Sequence, residues 1–179
     1  MHTPDELKAL VETYLEELEL WPQLHGQAAS MRYAFVEMGG KRIRPVISLA
    51  VGEACGAEAE RILPAAAAIE LVHNFSLVHD DLPSLDGDEE RRGRPSVWAA
   101  YGEGTAVLAG DGLLAEAFRL ACSYPTSAVA RELAAGVFEA RPRDPKGREC
   151  QRCKLRGLCQ LDRTSGGGDG GDDAGGAFA

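Results

Sequence analysis

Residues 65–78, with the sequence AAAAIELVHNFSLV, decide the fold of this chain. The stretch is apolar on almost every side of a helix, which is the pattern of a helix buried at the centre of a helical protein. Pro64 precedes it as a kink or a restart, so a helix is predicted over residues 57–81. We therefore expect other helices to pack around this segment.

Helical periodicity continues on both sides of the central segment. Thr3 and Glu6 have the spacing of a capping box, with Pro4 at the first helical position, so a first helix is expected there. Three further helices are predicted from the spacing of apolar residues, around residues 31–38, 45–56 and 104–122. No strand alternation is sustained, and the first 122 residues are therefore predicted to be all-α.

The composition restricts the class of protein. The chain has 179 residues, and no stretch of it approaches the roughly 18 uninterrupted apolar residues that suggest a membrane span. The amino terminus lacks the basic and apolar segments of a secretory signal. Five cysteines, an odd number, argue against a disulfide scaffold. A cytoplasmic protein without a membrane span is the resulting expectation.

The charge is unevenly distributed along the chain. Residues 1–125 hold 10 Lys and Arg against 20 Asp and Glu, and this acidity disfavours nucleic acid as a partner. Six of those ten basic residues nevertheless fall in two short clusters, KRIR at 41–44 and RRGR at 91–94. Two local anion sites on an acidic chain indicate a small phosphorylated ligand.

An acidic cluster follows the central helix directly. Asp80 and Asp81 fall at its carboxyl end, where two carboxylates repel each other and the helix dipole unless a cation compensates them. Asp86 and Asp88, in the next turn, could fold back towards the same point. Carboxylate oxygens combined with substrate phosphates are what Mg²⁺ prefers, so a magnesium site is predicted. The alternative is a solvated acidic turn.

Cationic side chains adjoin the acidic cluster and recur upstream. Arg91, Arg92 and Arg94 can bind phosphate oxygens bidentately, or form surface salt bridges with the neighbouring acids. The stretch GGKRIRP presents Lys41 and Arg44 beside two glycines that let the backbone approach a ligand. It predicts a second anion site, or else an ordinary basic turn. Together the two stretches suggest a clamp for diphosphate.

Three motifs in order and spacing carry a resemblance to a known family. They are GGKRIRP, AIELVHNFSLVHDDLPSLDGDEERRGRP and AVLAGDGLLAEAF. They closely resemble the N-terminal half of the trans-isoprenyl diphosphate synthases, which include farnesyl and geranylgeranyl diphosphate synthases, over about residues 5–122. The resemblance implies an all-α isoprenoid-synthase bundle and Mg²⁺-dependent condensation of isopentenyl diphosphate with an allylic diphosphate, dimethylallyl or geranyl. It also implies a homodimer, which is usual in the family.

The resemblance also implies roles for individual residues. Asp80 and Asp86, with Asp81, would bind the Mg²⁺ that bridges to the allylic diphosphate, and Arg91 would contact that diphosphate. These four are the catalytic candidates. The residues that would hold the isopentenyl diphosphate are Lys41, Arg44, His73 and Arg92.

Two residues of the central helix have an alternative structural explanation. His73 lies two turns before Asp80 on roughly the same face, which favours ligand contact over a satisfied core histidine. Phe75 lies five positions before Asp80. In this family a bulky residue at that position tends to close the bottom of the hydrophobic pocket, which favours a short product such as farnesyl diphosphate. Simple core packing is the other explanation for Phe75.

The resemblance stops after residue 122. Residues 123–164 are expected to form an unrelated Pro-, Arg- and Cys-containing segment, and residues 165–179 a disordered Gly-rich tail. Family members are about twice as long and carry a second Asp-rich helix motif that is not found here, since Asp172 and Asp173 lie within a glycine run. The chain is therefore predicted to be a fragment with weak or no turnover.

The cysteines of the second segment leave alternatives open. Cys150, Cys153 and Cys159 weakly resemble, over residues 141–162, the carboxyl end of a RecB-like iron–sulfur nuclease domain. Three thiolates need a further ligand to close a cluster or a zinc site, and free thiols are the remaining option. Two other functions follow as alternatives: a non-catalytic diphosphate-binding protein or synthase partner, and a metal or iron–sulfur module acting on nucleic acid.

Overall fold

The computed structural model describes residues 1–24 and 26–138, and within them seven α-helices confirm the all-α prediction. The helices are α1 (Pro4–Glu17), α2 (Ala28–Arg32), α3 (Ile43–Ala54), α4 (Ala59–Asp80), α5 (Val97–Tyr101), α6 (Glu103–Ala121) and α7 (Ala128–Phe138). A 3₁₀ turn (Pro22–Leu24), a π-helical turn (Tyr33–Glu37) and two antiparallel strands, β1 (Glu90–Arg91) and β2 (Arg94–Pro95), complete the set. The chain divides into two compact units, Met1–Leu133 and Ala134–Ala179.

Helix α1 begins as its sequence predicts. The Glu6 backbone N–H donates to the Thr3 hydroxyl, and the Thr3 backbone N–H donates to the Glu6 carboxylate at 2.7 Å, so the capping box is complete. Two of the N–H groups that a helix start leaves without partners are thereby satisfied. The apolar face of α1 is buried at Leu7, Val11 and Leu15, and the helix packs against α3 and α4.

Helices α4 and α6 form the centre of the first unit and make its most extensive contact. Their buried faces are rich in alanine, and α6 adds two buried glycines, so the two backbones approach closely. A Cβ atom added at Gly110 would lie 2.2 Å from Nε2 of His79. The approach of the helices therefore depends on small side chains, and it places the carboxyl end of α4 next to α6.

Proline 64 does not interrupt α4. The Tyr124 hydroxyl inserts into the next step of the helix ladder: it donates to the Arg61 carbonyl at 2.8 Å and accepts from the Ala65 N–H at 3.1 Å. The helix therefore continues through a residue that normally breaks the ladder, because a tyrosine further along the chain bridges the gap. The restart that was one of the two expectations at Pro64 is wrong, because one helix runs from residue 59 to residue 80, and the kink stays a prediction.

Helix α4 is also the one described helix long and apolar enough to cross a membrane by length and composition. It packs against α3 and α6, and core helices of folded proteins meet the same criterion. The buried side chains of Glu70 and Asn74 lie on it, and both make hydrogen bonds within the protein.

Three described elements were not expected from the sequence. The hairpin has only two residues in each strand, too few for an alternating pattern, and α5 is a helix of five residues. Helix α7 starts at Ala128, beyond the boundary predicted at residue 122. The domain boundaries themselves stay predictions. The cysteine motif and the glycine-rich tail lie outside the described residues.

Candidate functional site: a cationic pocket beside an acidic turn

The acidic turn after α4 folds back on the helix end. The Asp86 backbone N–H donates to the Asp80 carbonyl at 2.9 Å, and the Gly87 N–H donates to the Leu82 carbonyl at 3.1 Å. These bonds bring Asp86 back to the last turn of α4, as the sequence suggested. Asp80 and Asp86 are both exposed, whereas Asp81 is buried, so the carboxylates of Asp80 and Asp86 can reach a ligand from solvent.

Asp81 differs from its neighbour because its side chain is buried and paired. Both of its carboxylate oxygens accept from Nε of Arg91, at 2.9 and 2.7 Å, and Nη2 of Arg91 bonds to Oδ1 as well. The Asp81 side chain is 2% exposed, and its hydrogen bond raises the pKa of Arg91. A metal at Asp81 would have to displace this pair, so the geometry argues against the metal role predicted for Asp81.

The donor set at the turn fits a hard divalent cation. No three Asp, Glu, His or Cys side chains converge on one point within residues 1–24 and 26–138, so the protein alone forms no closed metal cage there. Asp80 and Asp86 provide oxygen donors only, at an open position. Mg²⁺ typically takes one or two carboxylates and completes its shell with water and phosphate oxygens. The two aspartates therefore fit such an ion, and their role as ligands stays a prediction.

A cavity of about 380 Å³ lies between the start of α3 and the middle of α4. Four of the predicted substrate-binding residues line it, namely Lys41, Arg44, His73 and Arg92. The remaining lining residues are Gly40, Arg42, Ile43 and Glu70. Residues distant in the sequence thus meet in one concave site, and Arg91, the fifth predicted residue, lies at the acidic turn instead.

The cavity is strongly cationic. Lys41 and Arg44 are exposed, and neither has an ion-pair partner among the described residues. Partial burial lowers the pKa of the Arg92 guanidinium. Burial is also the main cause that lowers the pKa of His73, and the nearby charge of Arg44 adds to it. Such a site favours an anionic ligand, which would relieve the repulsion between its cations.

The hairpin distributes two adjacent arginines to two places. Arg92 and Gly93 connect the strands, and both have positive φ, 55° and 77°, as in the turns that match the twist of a two-residue hairpin. Arg91 contacts Asp81, whereas Nη1 of Arg92 bonds to the Gly39 carbonyl at the edge of the cavity. The turn at Arg92 and Gly93 thus places Arg91 at the acidic turn and Arg92 at the edge of the cationic pocket.

Phe75 lies outside the lining of this cavity. Its ring packs edge-to-face on His79, with centroids 4.8 Å apart, and it is partly buried against the core. This contact accounts for Phe75 as a packing residue. Its predicted role in setting product length stays a prediction.

Two residues of the cavity were missed by the sequence reasoning. Arg42 and Glu70 form a buried ion pair, with Nη1 of Arg42 2.9 Å from Oε1 of Glu70. A signal was available for Glu70, because it is the one acidic or basic residue between Ala65 and Val78, apart from His73, in an otherwise apolar helix. Such a residue inside a central helix requires a buried partner. Nothing in the sequence singles out Arg42 from Lys41 and Arg44.

Two curated farnesyl diphosphate synthases are similar in sequence to this chain. The chain is 44% identical over 122 residues to a farnesyl diphosphate synthase of Bacillus subtilis, covering 68% of this chain and 40% of the relative. It is 48% identical over 120 residues to the farnesyl diphosphate synthase of Geobacillus stearothermophilus, covering 65% of this chain and 39% of the relative. The chain thus spans about two fifths of the length of these curated relatives.

A solved structure shares the fold. The crystal structure of a geranyltranstransferase from Thermotoga maritima superposes with a TM-score of 0.69 and 41% identity, covering 76% of this chain and 51% of that one. The sequence model of the polyprenyl synthetase family matches residues 27–140, a range that includes the cationic pocket, the acidic turn and α6. The chain therefore belongs to the polyprenyl synthetase family.

Proposed function

We propose that this chain carries the diphosphate-binding part of a short-chain isoprenyl diphosphate synthase. The whole enzyme would condense isopentenyl diphosphate with an allylic diphosphate, dimethylallyl or geranyl, in a Mg²⁺-dependent reaction. The observation that supports this most is the convergence of Lys41, Arg44, His73 and Arg92 on one cavity adjoining the acidic turn. Diphosphate is a compact polyanion, and arginine and lysine side chains are well suited to its oxygens.

The residues of the cationic pocket and of the acidic turn would bind different substrates. The cationic pocket would hold the diphosphate of isopentenyl diphosphate, while Asp80 and Asp86 would hold Mg²⁺ against the allylic diphosphate. The bound ion would neutralise negative charge that develops on the departing diphosphate. Arg91, fixed by Asp81, would present a positive charge beside the same group. The buried faces of α4 and α6 would help to keep water from the reacting carbons.

We propose weak or no turnover for this chain alone. It spans about two fifths of its curated relatives, and no second Asp-rich motif is found after residue 122. Losing half of the charge stabilisation and positioning typically lowers a rate by orders of magnitude. Cytoplasmic localisation and homodimer formation belong to the same proposal.

Calorimetry with inorganic pyrophosphate, followed by a condensation assay with labelled isopentenyl diphosphate, an allylic diphosphate and Mg²⁺, tests this function. Saturable binding of pyrophosphate with little product is the expected result. The Lys41→Gln/Arg44→Gln variant should lose binding, while Lys8→Gln/Arg131→Gln, with the same change in charge outside the cavity, should keep it. Absence of saturable binding would contradict the site, and robust product formation would contradict the expected inactivity.

A non-catalytic diphosphate-binding role is the second candidate. The observation that favours it is that, within the described part of the chain, the cavity is lined by residues from 40 to 92 alone. Pyrophosphate binding without turnover, together with co-purification with a complete synthase, would support this role over catalysis.

The pH dependence of binding should show the participation of His73. Because the pKa of His73 is lowered, the folded chain without ligand takes up this proton at lower pH than the unfolded chain, and stability falls as the pH drops below about 6.5. A bound diphosphate would raise that pKa, so pyrophosphate affinity should increase as the pH falls from 8 to 6. The affinity can increase by at most about tenfold for each unit by which the pKa of His73 is higher in the bound protein than in the free protein.

The His73→Gln variant provides the control, because pyrophosphate itself gains protons in the same range. Calorimetric titrations at several pH values should show a steeper dependence for the wild type than for the variant. Identical slopes would show that His73 does not approach the anion.

A further inference from the structure

Arg42 is buried within a stretch whose other charged residues are exposed. It is 4% exposed, whereas Lys41 and Arg44 are solvent-exposed on either side of it. Its guanidinium makes a fork of contacts: Nη1 donates to Oε1 of Glu70 at 2.9 Å, and Nη2 donates to the Phe35 carbonyl at 2.6 Å. The loop before α3 is thereby attached both to α4 and to the π-helical turn.

The arrangement at Arg42 is unfavourable in three respects. The Arg42 and Glu70 side chains are each 3% exposed, so both charges have lost their hydration. Nε of Arg42 is buried without a hydrogen-bond partner in the described part of the chain. Arg42 also has φ of 52°, a left-handed conformation that L-residues other than glycine adopt at a cost. Stability does not explain such a site, since well-packed apolar residues often replace a buried ion pair without loss.

The position of the pair suggests what it does. Arg42 is the residue before the first turn of α3, and its left-handed backbone sets the directions of the residues on either side. Glu70 lies one turn before His73 on α4, and both members of the pair line the cavity. A Cβ atom added at Gly40 would lie 3.0 Å from Nη1 of Arg92 and 3.4 Å from Nη1 of Arg42, so these groups are closely packed.

We infer that the Arg42–Glu70 pair positions the cationic pocket by holding the α3 loop on α4, so that Lys41 and Arg44 face the same diphosphate as His73 and Arg92. The pair sums to zero charge, and its contribution is therefore geometric. Without the pair, the strained backbone at Arg42 would relax, and Lys41 and Arg44 would no longer be held facing the cavity. This inference rests on the proposed function, because it concerns the same cavity.

The test is a net-neutral double replacement, Arg42→Met with Glu70→Met, in the full chain. Its thermal midpoint should be unchanged or raised, because apolar residues replace a buried ion pair. Its dissociation constant for inorganic pyrophosphate without Mg²⁺ should rise about ten- to a hundredfold, by analogy with the loss of metal affinity that follows removal of the partners that orient metal ligands. If the affinity falls while the thermal midpoint does not, the pair does not act through stability. Because the net charge is also unchanged, the loss would then come from positioning of the cations.

A matched control is available in α6. Arg119 donates from Nε to Oε1 of Glu116 at 2.8 Å, the Glu116 side chain is fully buried, and this pair does not line the cavity. The replacement of both residues by methionine makes the same change in charge and composition. It should leave pyrophosphate affinity within about twofold of the wild type, because neither residue lines the cavity.

The Arg42→Lys variant keeps the inference testable if the double variant does not fold. Lysine retains the charge opposite Glu70 but loses the planar fork that reaches both acceptors. A several-fold loss of affinity supports positioning, and unchanged affinity in either folded variant overturns it. If the wild type itself fails to bind pyrophosphate, the proposed function falls together with the inference, whereas binding by the wild type and equally by the variants removes the inference alone.

Discussion

Replacing Asp80 and Asp86 together by asparagine should abolish the effect of Mg²⁺ on pyrophosphate binding. Asp80 ends α4 and the following turn returns Asp86 to it, so the two side chains would provide the oxygen donors for the proposed ion. Asparagine keeps the size of the side chain and removes the charge. The Mg²⁺-dependent part of the affinity should fall by at least ~100-fold, since ligands matter more than the outer partners whose loss costs about 10–100-fold. Thermal midpoints with pyrophosphate, with and without Mg²⁺, provide the measurement.

The control for this prediction is the Glu89→Gln/Glu90→Gln variant. It removes two negative charges from exposed residues of the same segment. If the aspartates act only through their charge, both variants should bind pyrophosphate more tightly and respond equally to Mg²⁺. A magnesium response that survives in the double asparagine variant would contradict the proposed metal site.

Truncating Leu113 to alanine should have the largest effect on stability. Leu113 is fully buried on α6, the helix that makes the most extensive contact with α4. The lost transfer free energy and the cavity left behind should lower the free energy of unfolding by about 3 kcal/mol. For a folded region of this size, that corresponds to a decrease of roughly 10 °C in the melting temperature. Differential scanning calorimetry measures both quantities.

Leu108 provides the matched position on the same helix. Its side chain is 52% exposed, so Leu108→Ala should change the free energy of unfolding by about 0.5 kcal/mol or less. Equal effects at the two positions would contradict the placement of α6 in the core. Loss of α4–α6 packing should also disturb the acidic turn, because that turn begins at the last residue of α4.

The sequence predicted the elements whose signals are local. The capping box determines the start of α1, and the apolar run identifies α4 as the central helix. The order and spacing of three motifs indicated the family, because they lie in contiguous stretches of the chain. The missed elements had weaker signals: the two-residue strands are too short to alternate, and the continuity of α4 through Pro64 depends on the distant Tyr124 hydroxyl.

The sequence predicted which residues belong to the candidate site, but not how their side chains are placed in space. Lys41, Arg44, His73 and Arg92 were predicted to bind one diphosphate, and they line one cavity. Their role as its ligands stays a prediction. Arg91 was grouped with the acidic turn, and its partner there is Asp81.

What the sequence by itself determined is the helical class, the family and the residue types that can bind a metal and a diphosphate. Only the tertiary structure decided which of two adjacent side chains is buried and which is exposed to solvent. Asp80 is exposed while Asp81 is paired, and Arg42 is buried while Lys41 is exposed. The physical reason is that these directions depend on the backbone, with φ of 52° at Arg42, and on buried partners that are distant in the chain.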